Sequence, residues 1–308
     1  MRREGIASYS LSIFEDSSNC EVNATCVTKD LGIIGLHAKG PSRTAGRQAQ
    51  LAILPLASEG VKPKCYDPMR DPHLVSKSVN NERKGGITAL AGVDYDNSLK
   101  FLSSGSDKHT YLWTIYPHTH RYTASTERLS FQTRAIVQAL GFERGSGTVL
   151  SADGKRILSL DLSSNAVRKN VTMAHNVYNI HTGQSPYVVL LETESVDAQI
   201  QMYDLRSGNF DRPPVVAFGQ DLPSYVPEKL KFLSPSARGS LSPNKQLFAR
   251  GFNDGGVQVW DLRKHTVATK TYDHRLHSGS IFHTAFISES ELVARENNAL
   301  WFIDTKRA

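Results

Sequence analysis

The sequence predicts an all-β chain in which one short antiparallel sheet is repeated several times. Three observations predict it. Apolar residues come in short runs split by turn residues, as in Ile87-Thr88-Ala89-Leu90, Leu99-Lys100-Phe101-Leu102-Ser103 and Thr110-Tyr111-Leu112-Trp113. A large apolar station returns at positions 54, 113, 160, 203, 260 and 303, with gaps of 59, 47, 43, 57 and 43. A period of about 40–45 residues marks a repeated supersecondary unit that cannot bury both its faces alone. Composition agrees. With 308 residues, 39% hydrophobic, 21% charged and a net charge of +6, the chain is neither disordered, collagen-like nor disulfide-dense. Its longest apolar runs, such as Val188-Val189-Leu190-Leu191, fall far short of the about 20 residues a membrane-spanning helix needs.

Each repeat can be justified in order. The first keeps only the apolar strand Gln50-Leu51-Ala52-Ile53-Leu54. The second runs from Ile87 to Trp113, with the turn Gly105-Ser106-Asp107-Lys108 before its last strand. An Asp there accepts hydrogen bonds from its own loop backbone. In three copies an Asp stands six positions before an aromatic: Asp107 and Trp113, Asp197 and Tyr203, Asp254 and Trp260. The third repeat has Asp153 with Leu160-Asp161, one residue longer. The sixth has Asn297 six before Ile303, followed by Asp304. The two long gaps are read as loops at residues 57–86 and 207–230, where Lys62-Pro63-Lys64, Asp71-Pro72-His73, Arg212-Pro213-Pro214, Pro223 and Pro227 fall. Proline belongs at sheet edges and in loops.

A period of this length with Trp-Asp endings resembles the WD-repeat family. The resemblance extends over nearly the whole chain, is strongest at residues 86–115 and 239–263, and lacks most of the Gly-His dipeptides that open family repeats. His175 and His277 come nearest to that histidine. The resemblance implies a single β-propeller domain over residues 1–308, built of four-stranded antiparallel blades. Six blades are recognisable; seven is the more usual family number. The last repeat ends at Trp301-Phe302-Ile303-Asp304 without room for an outer strand, and Ser8-Tyr9-Ser10-Leu11-Ser12-Ile13-Phe14 supplies a spare one. Family members close their ring in this way, with the first strand completing the last blade.

Motifs that carry chemistry are missing. There is no G-x-S-x-G elbow, no phosphate-binding Gly-x4-Gly-Lys-Ser/Thr loop, no H-E-x-x-H and no EF-hand loop. Gly145-Ser146-Gly147 lacks a third glycine and reads as a strand-to-strand turn, and His118-Thr119-His120 reads as a solvated turn. Cys20, Cys26 and Cys65 are odd in number and have no histidine at ligand spacing, which suits free thiols better than zinc. Met1-Arg2-Arg3-Glu4-Gly5 is not followed by an apolar stretch, so no signal peptide is read, and the sequons at Asn23 and Asn170 carry little weight. The expectation is a non-catalytic binding protein without cofactor or metal, working in the cytoplasm, the nucleus or both.

Two features suggest partners. Tyr203-Asp204-Leu205-Arg206 and Trp260-Asp261-Leu262-Arg263 end consecutive repeats at the same station. This pair resembles the double WDxR box of substrate receptors for cullin-4 RING ubiquitin ligases. The resemblance implies that Arg206 and Arg263 contact the adaptor, damaged-DNA-binding protein 1, with Asp204 and Asp261 supporting them. The guanidinium suits such a role because its planar fork makes several hydrogen bonds and is weakly hydrated. An Arg two places after the Asp is also frequent in WD repeats with no ubiquitin role. The second and third repeats depart from the box, with Tyr116 and Ser163 in the Arg position. The other feature is residues 38–84, where nine bases against four acids leave +5 of the net +6. Lys39, Arg43, Arg47, Lys62 and Lys64 are candidates for a basic patch that would bind nucleic acid. Only Tyr66 accompanies them for base stacking. A general scaffold in a chromatin, RNA-processing or trafficking complex is the alternative to the ligase receptor, and a nucleic-acid-binding propeller the next.

Overall fold

A computed structural model of the chain describes residues 20–28, 31–38, 51–55, 87–93, 98–105, 108–117, 122–131, 133–182, 185–195, 198–207, 209–219, 237–253, 255–264, 270–272, 280–296 and 299–305. It is all-β, and the chain divides into two compact units, one ending at Ile180 and the other beginning at His181.

The first unit holds three antiparallel sheets. The first is β1 (Cys20–Thr28), β2 (Leu31–Ala38) and β3 (Leu51–Pro55). The second is β4 (Ile87–Val93), β5 (Leu99–Gly105), β6 (Thr110–Pro117) and β7 (Tyr122–Arg128). The third is β8 (Ala139–Glu143), β9 (Thr148–Asp153), β10 (Arg156–Asp161) and β11 (Ala166–Thr172). Three more sheets follow in the chain from Val177 onward. These are β12 (Val177–Thr182) to β15 (Val216–Phe218) through β13 (Val188–Thr193) and β14 (Ile200–Asp204); β16 (Ser240–Leu241), β17 (Leu247–Gly251), β18 (Val257–Asp261) and β19 (Lys270–Tyr272); and β20 (Ile281–Phe286), β21 (Glu291–Glu296) and β22 (Ala299–Asp304). Within each sheet, hydrogen-bonded neighbours follow chain order.

Both faces of the second sheet are buried, which is why its inner strands read as apolar runs more than as strict alternation. Phe101, Trp113 and Ile115 of the second sheet pack on Ala24 and Ile33 of the first. Ala89, Ala91, Val93 and Leu102, from the other face of the second sheet, pack on Leu140, Phe142, Val149, Leu158 and Leu160 of the third. In the second unit Ala249, Val257 and Val259 pack on Ile281, Leu292, Ala294 and Ile303. Each of the Val, Leu, Ile and Phe side chains among them contributes about 1.5–3 kcal/mol by leaving water.

All six stations of the sequence fall on the third strand of a sheet: residue 54 on β3, Trp113 on β6, Leu160 on β10, Tyr203 on β14, Trp260 on β18 and Ile303 on β22. Trp113 stacks on Phe101, opposite it in the ladder, at 5.4 Å, and its Nε1–H donates to Ser103 Oγ at 2.8 Å.

Two expectations differ from the structure. The first repeat has three strands, whereas its sequence shows a single one. Cys20, Val22, Ala24 and Cys26 alternate along β1, but a bulge between Val22 and Ala24 breaks the register and weakens that signal. Residues 207–230 are not all loop: Val216–Phe218 pairs with β14 as the fourth strand of its sheet. Three residues are too few for a periodic signal, and two prolines stand just before them. The loop at 57–86 and the N-terminal strand at 8–14 lie outside the described residues. In the last sheet no described strand pairs with the outer edge of β22, whose Phe302 is 59% exposed.

Candidate functional site

The third strand ends the same way in four sheets. Asp161, Asp204, Asp261 and Asp304 pair with Thr148, Val188, Leu247 and Glu291. The next N–H along the chain, of Leu162, Leu205, Leu262 or Thr305, donates to the carbonyl of Gly147, Tyr187, Gln246 or Ser290, at 2.7–3.0 Å. The chain leaves these four sheets at the same corner, and in three of them the Asp carboxylate binds residues just beyond it.

In the fourth and fifth sheets the carboxylate holds an arginine. Asp204 Oδ1 accepts the backbone N–H of Arg206 at 3.0 Å, and the side chain closes a fork, Nε to Oδ1 at 3.0 Å and Nη2 to Oδ2 at 2.6 Å. A 3-10 turn, Leu205–Ser207, makes this reach possible, and the guanidinium lies 5.5 Å from the Tyr187 ring centre. Asp261 repeats the pattern with Arg263: backbone N at 3.0 Å, Nε at 2.8 Å and Nη2 at 2.7 Å. The fork holds both carboxyls below the usual carboxylate range and raises both guanidiniums above theirs. The Arg206 and Arg263 side chains stay 61% and 59% exposed, while their acids are 24% and 5% exposed. Each site is therefore a guanidinium fixed on one edge and open on the other. That geometry suits recognition of carbonyl or carboxylate acceptors at little cost in side-chain entropy.

The third sheet shows a variant. Ser163 takes the Arg position and donates through its backbone N–H and its hydroxyl to Asp161 Oδ1, while Arg168 from β11 pairs with Oδ2. Those bonds hold the Asp161 carboxyl well below its ordinary range.

The other predicted residues divide into two groups. Tyr203 is buried, donates to Gln201 Oε1 at 2.8 Å, and burial pushes its hydroxyl up to about 12. Trp260 is fully buried, with Phe248 at 6.2 Å. Asp304 ends β22 at the common corner. Asp107, Asp197 and Asp254 lie outside the described residues, as do Lys39, Arg43, Arg47, Lys62 and Lys64. Asp153 is described, and its Oδ2 accepts the backbone N–H groups of Arg134 and Ala135. Cys26 is half-buried and forms no disulfide. Among the described residues no group of three or more His, Cys, Asp or Glu could hold a metal ion.

A cluster that cannot be read from the sequence sits in the second unit. Glu192 on β13 and Arg250 on β17 are both fully buried, with Nη1 3.0 Å from Oε2. Glu192 Oε1 meets His181 Nε2 at 2.7 Å, and both its oxygens accept the Gly239 N–H, at 3.1 and 3.2 Å. The ladder explains why these residues stand out. Glu192 pairs with the residue three before its station; the matching positions are the small Gly35, Ser104, Ala152 and Gly251 in four sheets and Arg295 in the last. Arg250 likewise takes the place of Ser103, and Trp260 Nε1, lacking that hydroxyl, has no acceptor. Glu192 thus puts a fully buried carboxylate where four other sheets carry a small residue, opposite the fully buried Arg250. Ladder-guided alignment would have flagged it, but the β13–β14 hairpin is two residues longer than β5–β6 and shifts Glu192 out of ungapped alignment.

Neither models of protein families nor curated proteins give a match to this chain.

Proposed function

We propose that the chain is a WD-repeat β-propeller that binds other proteins, and that it serves as a substrate receptor of a cullin-4 RING ubiquitin ligase. The observation that carries the reading is the pair of matching Asp–Arg forks, Asp204–Arg206 and Asp261–Arg263, at the same corner of consecutive sheets. Six successive sheets, each with its apolar station on the third strand, support the propeller architecture. In this reading the open edges of Arg206 and Arg263 donate to acceptors on the adaptor, damaged-DNA-binding protein 1. Asp204 and Asp261 hold the donors in place before the partner arrives.

The test is co-elution of the purified chain with the purified adaptor on a sizing column. The control carries Arg206→Ala with Arg263→Ala, first shown to be folded. A hot-spot arginine costs about 2 kcal/mol or more on truncation, roughly 30-fold in affinity, so the double change abolishes a micromolar complex. Failure of the unmodified chain to bind would remove the ligase assignment and leave the two forks as ordinary strand endings.

A further inference from the structure

The two forks are alike in their hydrogen bonds and differ in what surrounds them. In both, the carboxylate takes Nε–H and one Nη2–H of the arginine. The edge that faces outward is therefore Nη1 with the second N–H of Nη2.

At the fourth-sheet corner the guanidinium is covered on one face and its charge is balanced. Its carbon lies 5.5 Å from the Tyr187 ring centre, within cation–π range. The corner itself holds that ring in place. The Tyr187 carbonyl accepts the Leu205 N–H at 2.9 Å, and the Tyr187 N–H donates to Ser185 Oγ at 3.4 Å. The Asp204 carboxyl is held down by its bonds to Arg206 and by the Arg206 charge, so acid and base match one to one. A carboxylate docked about 4 Å from this guanidinium would lie about 7 Å from Asp204, and that repulsion cancels roughly half of the attraction. An uncharged carbonyl suffers no such loss.

At the fifth-sheet corner a second base joins. Lys264 is exposed, and its backbone N–H donates to the Asp261 carbonyl at 2.9 Å. The Asp261 carboxyl is held down by its bonds to Arg263 and by the charges of both Arg263 and Lys264. Two bases against one acid leave a positive charge at this corner. Its carrier is a solvated side chain, so it costs the protein little and stays open to a partner.

Resting on the reading that both forks meet the adaptor, we propose that the two corners take different groups. Arg206 donates to an uncharged carbonyl, with Tyr187 as its positioning residue. Arg263 together with Lys264 binds a carboxylate. The partner accordingly presents a main-chain or amide carbonyl to the fourth sheet and an Asp or Glu side chain to the fifth. A surface offering carboxylates to both corners, or carbonyls to both, is discriminated against at one of them.

The test is titration calorimetry of the full chain with the adaptor at about 0.05 M and about 0.5 M sodium chloride, the second of which screens charges beyond a few ångströms. Lys264→Gln should bind about 5-fold more weakly than the parent at the lower salt and within about 2-fold of it at the higher. Lys155→Gln makes the same change of charge in the β9–β10 turn and should match the parent at both. Tyr187→Leu should bind about 2- to 5-fold more weakly at both salts, and Tyr187→Phe, which keeps the ring, should restore the affinity. If the parent binds but Lys264→Gln behaves as Lys155→Gln does, the division of roles is overturned and the ligase reading stands. The same holds if Tyr187→Leu binds as the parent does or Tyr187→Phe fails to restore binding. If the parent does not bind at either salt, the ligase reading falls and this inference falls with it.

Discussion

Replacing Glu192 by leucine tests whether the buried charge at the seam between the fourth and fifth sheets is a matched pair. Glu192 and Arg250 have fully buried side chains. Removing the carboxylate leaves Arg250 in the interior without its counter-charge, which typically costs about 3–5 kcal/mol. It also orphans the Gly239 N–H, a loss of about 1–3 kcal/mol by itself. The two losses share one relaxation and do not add in full, so about 4 kcal/mol is expected. Glu192→Leu with Arg250→Met removes both charges while filling similar volume. It frees Trp260 and Gln258 from a charged neighbour, and it should recover most of the loss, to within about 1–2 kcal/mol of the starting protein. Urea unfolding followed by tryptophan fluorescence suits the measurement, because Trp260 and Trp301 both lie in the second unit. A single mutant within about 1 kcal/mol of the parent, or a double mutant no better than the single, would refute the argument.

Gly251→Ala should unfold more readily by at least about 1–3 kcal/mol, because an added Cβ would collide with Ile281 Cγ2 and lie 2.8 Å from its carbonyl oxygen; a thermal melt checks it. Stability should fall as pH drops from about 6.5 to about 4. The His283 ring protonates near 6.5 in the unfolded chain but only at about 4 in the folded one, so protons favour unfolding across that window. The partly exposed ring limits the effect to at most about 3 kcal/mol, and denaturation curves of His283→Gln at pH 7 and pH 4.5 should lie closer together than those of the parent. Deleting residues 1–18 should make the chain self-associate if the N-terminal strand covers the open edge of β22, where Phe302 and Leu300 are exposed. Light scattering and melting decide it, and a truncated chain that stays monomeric with unchanged melting refutes the closure.

Features that depend on a single strand were legible in the sequence. A large apolar residue that returns at a near-constant interval can be recognised without knowledge of its neighbours in space, and all six stations, from residue 54 to Ile303, fall on the third strand of a sheet. The Asp204–Arg206 and Asp261–Arg263 forks were legible for the same reason, since both partners lie within three residues. Non-local features escaped. Arg168 stands in for the missing arginine of the third sheet from the next strand, seven residues past Asp161. Glu192 and Arg250 are 58 residues apart. A buried ion pair leaves no periodic trace, because its residue types elsewhere mark solvent-exposed positions.

The two candidate sites lie at opposite ends of the same sheets, and this makes their independence testable. On β13 Val188 pairs with Asp204, beside its fork, while Glu192 pairs with Ile200 at the far end. Four steps of a strand separate Val188 from Glu192, about 13 Å at 3.3 Å per residue. In the fifth sheet Leu247 pairs with Asp261 and Arg250 with Gln258, three steps or about 10 Å along β17. Sites this far apart with no shared partner act additively to within about 0.5 kcal/mol. Arg206→Ala with Arg263→Ala should therefore add to the stability loss of Glu192→Leu within that margin, and Glu192→Leu with Arg250→Met should leave adaptor co-elution unchanged. If Glu192→Leu with Arg250→Met weakened the adaptor complex instead, the strands between the two ends would be transmitting a displacement. β13 and β17 would then have to be regarded as moving parts rather than as a rigid frame.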